Sequence, residues 1–243
     1  MTRHTQTPAT PTRRTLLRAS AATAAGGVLV AGAAPVGAVT KPPAERSTRP
    51  ATPAAALAAL SAGNRRWRTY HQQHPHEARS LRRSLVSGQS PFALILGCID
   101  SRVPPELVFD QGLGDLMTVR SAGEVLDEAV LGSIAYGVLE LGIPLVLVLG
   151  HQSCGAVAAA VHAEETGERL PAHIQYVADQ IKPAIVHSQH GEARVDATVS
   201  AQVRLTRSRL AAEADLAAKV AAGELEIVGA RYELSTQLVH RVS

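Results

Sequence analysis

From residue 92 onward the chain alternates between two kinds of hydrophobic pattern. Residues 92–97 (FALILG), 116–120 (LMTVR), 145–150 (LVLVLG) and 225–230 (LEIVGA) are short, nearly unbroken apolar runs, as expected of strands buried on both faces. Longer stretches between them carry helical spacing, in residues 127–141 (DEAVLGSIAYGVLEL) and in three stretches between positions 154 and 222. Strand-helix-strand alternation predicts right-handed crossovers. The fold class is therefore α/β, with a central, mostly parallel four-stranded sheet flanked by helices, and residues 237–242 available as a fifth strand at its edge. Two helices precede the sheet, one starting after Thr52 or Pro53 with Thr52 as its cap, the other over residues 77–86. No internal repeat is visible.

The first forty residues follow a different pattern. Thr12-Arg13-Arg14-Thr15-Leu16-Leu17-Arg18 leads into an uncharged stretch from 19 to 40 built of Ala, Gly, Val, Thr and Pro, with small residues at Ala34, Gly37 and Ala38. A basic head, a mildly apolar middle and a small-residue cleavage site have the layout of a twin-arginine export signal. A retained membrane anchor would use Leu or Ile where this stretch uses Ala and Gly. The expected organisation is a signal over 1–38, a Pro- and Thr-rich linker over 39–52 and one folded domain over 53–243.

This division changes the meaning of the charge. The whole chain has 24 basic and 21 acidic residues, but Arg3, Arg13, Arg14 and Arg18 all lie in the signal, which has no acidic residue. The mature chain is left with a net charge of about −1, which gives no basis for nucleic-acid binding or for stable membrane association after cleavage. The composition, 46% hydrophobic and 3% aromatic, suits an Ala/Val/Leu-built α/β core.

Export would place the chain's two cysteines, Cys98 and Cys154, in an oxidising compartment where pairing is the default. Their neighbours point elsewhere. Cys98 directly follows the first predicted strand and His151 the third, so if those strands are adjacent both open onto one crevice at the carboxyl ends of the sheet. His151-Gln152-Ser153-Cys154 is expected to begin a helix, on which residues three apart share a face. Two cysteines and one histidine suit Zn2+, and three protein ligands leave the fourth position of a catalytic site open. A disulfide-bonded binding module would leave Asp100, Arg102 and His151 without a role.

At these residues the chain resembles the β-class carbonic anhydrases. The resemblance rests on Cys98-Ile99-Asp100-Ser101-Arg102 and on His151-Gln152-Ser153-Cys154 in that order, and extends through GNRRW at 63–67, GQSPF at 88–92, SRVPPE at 101–106 and a final GELEIVGARYEL. It implies zinc-dependent reversible hydration of CO2 to bicarbonate. Cys98, His151 and Cys154 would be the ligands, and Asp100 and Arg102 a catalytic pair in which the arginine keeps the carboxylate off the metal. Asp100 would become the fourth ligand only in a closed state. Gln89 and Tyr136 match substrate-contacting positions, and the family implies a homodimer or a dimer of dimers whose N-terminal helix packs across onto the neighbour. A zinc hydrolase acting on carbonyl sulfide or carbon disulfide would keep the same ligands. The chain departs from the family at Ile95, where a tryptophan accompanies inhibition by bicarbonate, at Ser121 and Glu124, and at Met117, where an aromatic residue often lines the CO2 pocket.

Overall fold

The structure is a computed structural model, and it describes residues 49–243. The export segment and residues 39–48 of the linker lie outside the described residues. No helix among the described residues is long and apolar enough to cross a membrane.

Helix α1 (Pro53–Arg68) begins where Thr52 Oγ1 accepts a hydrogen bond from the Ala55 amide at 3.2 Å, with Pro53 at its first position. Both features satisfy or remove amide donors that a helix leaves unpaired at its start. Arg65, Arg66 and Arg68 occupy its last turn, where cations complement the helix dipole. Its apolar stripe lies on its own subunit: Ala56 and Leu60 are buried with Phe109, Leu147 and Ala230. Gly63 permits this approach, since a Cβ there would stand 1.7 Å from the Phe109 carbonyl oxygen. Helix α2 (Arg79–Ser84) is shorter than its predicted span and ends in a 3₁₀ turn. The histidine-rich loop before it is fastened to the body by two acids. Asp110 accepts from the amides of Gln73 and His74, and His76 Nδ1 lies 2.6 Å from Asp115.

Strands β1 (Ala93–Gly97), β2 (Leu116–Arg120), β3 (Leu145–His151), β4 (Glu226–Tyr232) and β5 (Val239–Arg241) form one sheet in the order β2-β1-β3-β4-β5. The first four run parallel, and β5 pairs antiparallel with β4. Alternation along β1 places Ile95 on the α1 face and Leu94 and Leu96 on the other, as a period of two requires. The second face packs under α4 (Glu128–Ala135), α7 (Gly191–Ala212) and α8 (Ala214–Ala221). Each fully buried Leu or Ile there contributes about 1.5–3 kcal/mol.

Several expectations are corrected. Strand β2 is half-buried rather than enclosed, because it has β1 on one side only and forms the edge of the sheet. The predicted 127–141 helix is α-helical only to Ala135 and finishes as a π turn, Tyr136–Glu140. Gly137 in that turn lies so near the sheet that a Cβ would meet Leu94 and Met117 at 2.8 Å. Met117 thus fills the core on that face. A one-turn helix α3 (Pro105–Val108) was not anticipated, and four helices rather than three lie between Cys154 and Ala222, since α5 (Gly155–Thr166) and α6 (Ile174–Ile181) precede α7 and α8.

Candidate metal centre

Strand order reverses between β1 and β3, since from β1 the chain moves outward to β2 and then back across β1 to β3. This is the switch point at which open parallel sheets bind ligands. Cys98 is the first residue after β1, and His151 is the last residue of β3.

The HQSC segment does not begin a helix at His151, as expected from its spacing. Ser153 has φ of 55°, a left-handed conformation that turns the chain sharply, and Cys154 then caps the start of α5. A turn, not a helical face, brings His151 and Cys154 together, because His151 is still committed to pairing with Tyr232 of β4.

The ligand atoms of Cys98, His151 and Cys154 all lie within 4.8 Å of one another, and all three residues are buried. The two sulfurs are 3.9 Å apart and unbonded. A disulfide requires about 2.05 Å, whereas two thiolates on one tetrahedral zinc, each at about 2.3 Å, stand about 3.8 Å apart. His151 Nδ1 lies 2.9 Å from the carbonyl oxygen of Gln152, so Nδ1 carries the proton and donates it there. Its buried Nε2 has no hydrogen-bond partner. A lone pair left unpaired beside two sulfurs is what a metal ligand oriented by its other nitrogen presents. The donor set therefore fits a borderline-soft divalent ion.

The titration behaviour follows from this crowding. The Cys98 thiol is lowered to about 4, first by the Cys154 thiol beside it and also by His151 and the Gly123 amide, against the opposing effect of burial. Cys154 is pushed up, first by Cys98 and then by burial. At this separation the ionisation of one sulfur opposes that of the other, so the two titrate as a pair.

Asp100 stands at the open side of the ligands, with Oδ2 3.9 Å from His151 Nε2. Arg102 turns it away. The guanidinium donates to Oδ1 at 2.9 Å and Oδ2 at 2.7 Å, and the Arg102 amide adds a bond to Oδ1 at 2.9 Å. This fork holds the carboxyl at about 2, the Arg102 side-chain bond being the largest cause and partial burial opposing it. Arg102 also donates to the Ser153 carbonyl at 3.2 Å, joining the two ligand-bearing loops.

Beside Cys98 and Asp100 opens a cavity of about 340 Å³ walled by apolar side chains, among them Ile99, Ala122, Leu170 and Ile174. A larger groove between α5 and α6 is lined by charged residues and includes none of the ligands. Gln89 and Tyr136 are exposed, and neither lines the cavity of its own chain.

Behind the ligands is a layer that the motifs do not reveal. Gln202 donates to the Gly123 carbonyl at 3.0 Å and Thr206 to the Glu124 carbonyl at 3.3 Å, so α7 supports the turn that holds the Gly123 amide against Cys98. The fully buried Glu124 carboxyl is raised well above its ordinary range, by burial first and the Cys98 charge second. In the sequence Glu124 is visible only as a departure from the family pattern.

Comparison with known proteins gives a consistent result. The family described as carbonic anhydrase matches residues 93–239. Carbonic anhydrase 2 of Mycobacterium tuberculosis is 44% identical over 184 residues, covering 75% of this chain and 89% of that protein. The carbonic anhydrase of Mycolicibacterium smegmatis is 42% identical over 185 residues, covering 75% and 90%. Among solved structures, a tetrameric β-carbonic anhydrase of Sordaria macrospora superposes with a TM-score of 0.62 at 23% identity, covering 77% of this chain and 96% of that one.

Proposed function

The chain belongs to the carbonic anhydrase family, in its β class, and from that premise we propose that Cys98, His151 and Cys154 hold Zn2+ for the reversible hydration of CO2 to bicarbonate and a proton. The observation that carries the proposal is the buried, partnerless Nε2 of His151 facing two sulfurs at the separation of tetrahedral ligands. Bound there, the metal supplies the Lewis acidity that lowers the pKa of water.

The remaining work belongs to the chain. Gln152 fixes the His151 ring through Nδ1 and leaves Nε2 free to coordinate. Asp100, a carboxylate across the physiological range, is the group able to occupy the fourth position, and the Arg102 fork holds it aside. The apolar cavity admits an uncharged, weakly solvated molecule to the ligands more readily than an ion.

The assembly we propose is a homodimer or dimer of dimers. Gln89 and Tyr136, exposed in one chain, would meet substrate at a neighbour's site. The route we propose is export by the twin-arginine system, supported by the Arg13-Arg14 head, the uncharged stretch after it and the small residues near position 38.

The test is stopped-flow CO2 hydration by the zinc-loaded mature chain, with Cys98→Ala as control. Zinc-dependent activity that disappears in the variant supports the assignment. Inactivity with one tightly held zinc per chain overturns it in favour of hydrolysis of carbonyl sulfide or carbon disulfide by the same ligands.

A further inference from the structure

Arg120 closes β2 at the edge of the sheet, and among the described residues its guanidinium has no carboxylate partner. Its donors are directed at backbone. Nε donates to the Cys98 carbonyl at 2.8 Å and Nη2 to the Asp100 carbonyl at 2.7 Å. These peptides carry one metal ligand and the carboxylate beside the metal site. One residue further on, the Ser121 amide donates to the Gly97 carbonyl at 3.1 Å, and the Gly123 amide reaches the Cys98 sulfur at 3.4 Å. The β1 loop is thus fastened along one side by residues 120–123.

Asp100 is already within 3.9 Å of a ligand nitrogen. What keeps it off the fourth position cannot be distance alone. Arg102 holds the carboxylate, but both residues ride on the same short loop, so a rotation of that loop that gives up the Arg102 bond to the Ser153 carbonyl would carry the pair together. Arg120 comes from another strand and anchors the peptide from which Asp100 hangs. A planar guanidinium with two donors on two carbonyls two residues apart fixes orientation as well as position, which a lysine, with one compact charge, does less well.

We propose that Arg120 is a positioning residue that keeps the Cys98–Arg102 loop in the arrangement where Asp100 faces Arg102 and the fourth metal position stays open. This rests on the metal assignment above and adds a second control point to it, acting on backbone rather than on the carboxylate. Replacing Arg120 frees the Cys98 carbonyl and leaves the Asp100 carbonyl with only the Val103 amide of its own loop, at 3.1 Å, so that the loop can rotate and Asp100 takes up coordination in a larger share of molecules.

The experiment uses the full mature chain loaded with Co2+, whose visible absorption reports whether a carboxylate has joined the coordination sphere, together with kcat/KM of the zinc form at the same pH. Arg120→Gln is expected to acquire carboxylate-coordinated absorption and to lose about tenfold in kcat/KM, the scale of one charge-assisted hydrogen bond. Arg120→Lys is expected to restore part of both. In an Asp100→Ala background the same Arg120→Gln change is expected to add little, because the group through which it acts is gone. An unchanged cobalt spectrum in Arg120→Gln, or an equal loss with and without Asp100, overturns the proposal. A wild-type zinc enzyme inactive on CO2 would overturn the functional assignment alone, since the cobalt spectra read the loop without turnover.

Discussion

Cys98 and Cys154 present their sulfurs 3.9 Å apart, yet the backbone holds them in different ways. Cys154, itself buried, sits at the junction of a fully buried strand, a left-handed residue and a helix start. Cys98 sits on a loop whose position depends on arginine side chains, Arg102 from within and Arg120 from β2. The first side is set by main-chain geometry, and the second by the Ser121 and Gly123 amides together with arginine side chains that can let go. One half of the ligand set is rigid and the other is adjustable, and the adjustable half also carries Asp100.

The most severe way to break this contrast is to remove a sulfur from either half. Cys98→Ala and Cys154→Ala should each abolish zinc retention and CO2 hydration, well beyond the about 10- to 100-fold cost of changes around a ligand. Chelator competition and stopped-flow rates check both, and a Cys154→Ala protein that kept its zinc would undo the assignment of that ligand.

Next in size is Arg102→Gln, expected to lower kcat/KM by about 10- to 100-fold. It also has an acid-stability consequence. Asp100 is depressed to about 2 from 3.8, so its contribution to stability is present above the ordinary value and is lost as the pH falls through the folded one. The metal-free wild type should lose that contribution between about pH 4 and pH 2, and Arg102→Gln, with little to lose, should show a shallower decline there in acid unfolding.

Thiol chemistry sharpens the comparison without any mutation. With the Cys98 thiol lowered to about 4 and Cys154 raised, a small alkylating agent at about pH 6 should mark Cys98 before Cys154 in the metal-free chain. Zinc should protect both, as read by peptide mass analysis. Equal labelling of the two would remove the asymmetry.

The smallest effects test the rigid half. Ser153→Val places a β-branched residue at φ of 55° and should destabilise by about 1–2 kcal/mol. Thr52→Ala, at the distant cap of α1, should cost about 1 kcal/mol while leaving zinc affinity unchanged in thermal and metal-binding titrations.

The same contrast explains what could be read from the sequence. The ligands were legible because apolar runs of strand length end at Cys98 and His151, and parallel topology carries such ends to one edge. Asp100 and Arg102 were legible because they interact within one loop. The left-handed Ser153 was not, since serine is not the residue that announces such a turn. Arg120, Gln202 and Thr206 were hidden because each bonds to a backbone carbonyl far away in sequence, 22 residues for Arg120 to Cys98 and 79 for Gln202 to Gly123. A carbonyl has no side-chain identity for a motif to display. The half-exposed β2 reads like the enclosed strands because its composition does not record that one neighbour is missing.

The strand order carries a consequence for biosynthesis. All three ligands fall within the span from Cys98 to Cys154, which directly follows β1 and contains β2 and β3, whereas β4 begins only at Glu226. As the chain emerges from the ribosome, the coordinating atoms are complete long before the strand that covers the far side of β3 exists. A metal ion captured at that stage would tie together two segments whose closure is otherwise slow and entropically costly, so that the cofactor would act as a template for the nascent sheet as well as a participant in its chemistry.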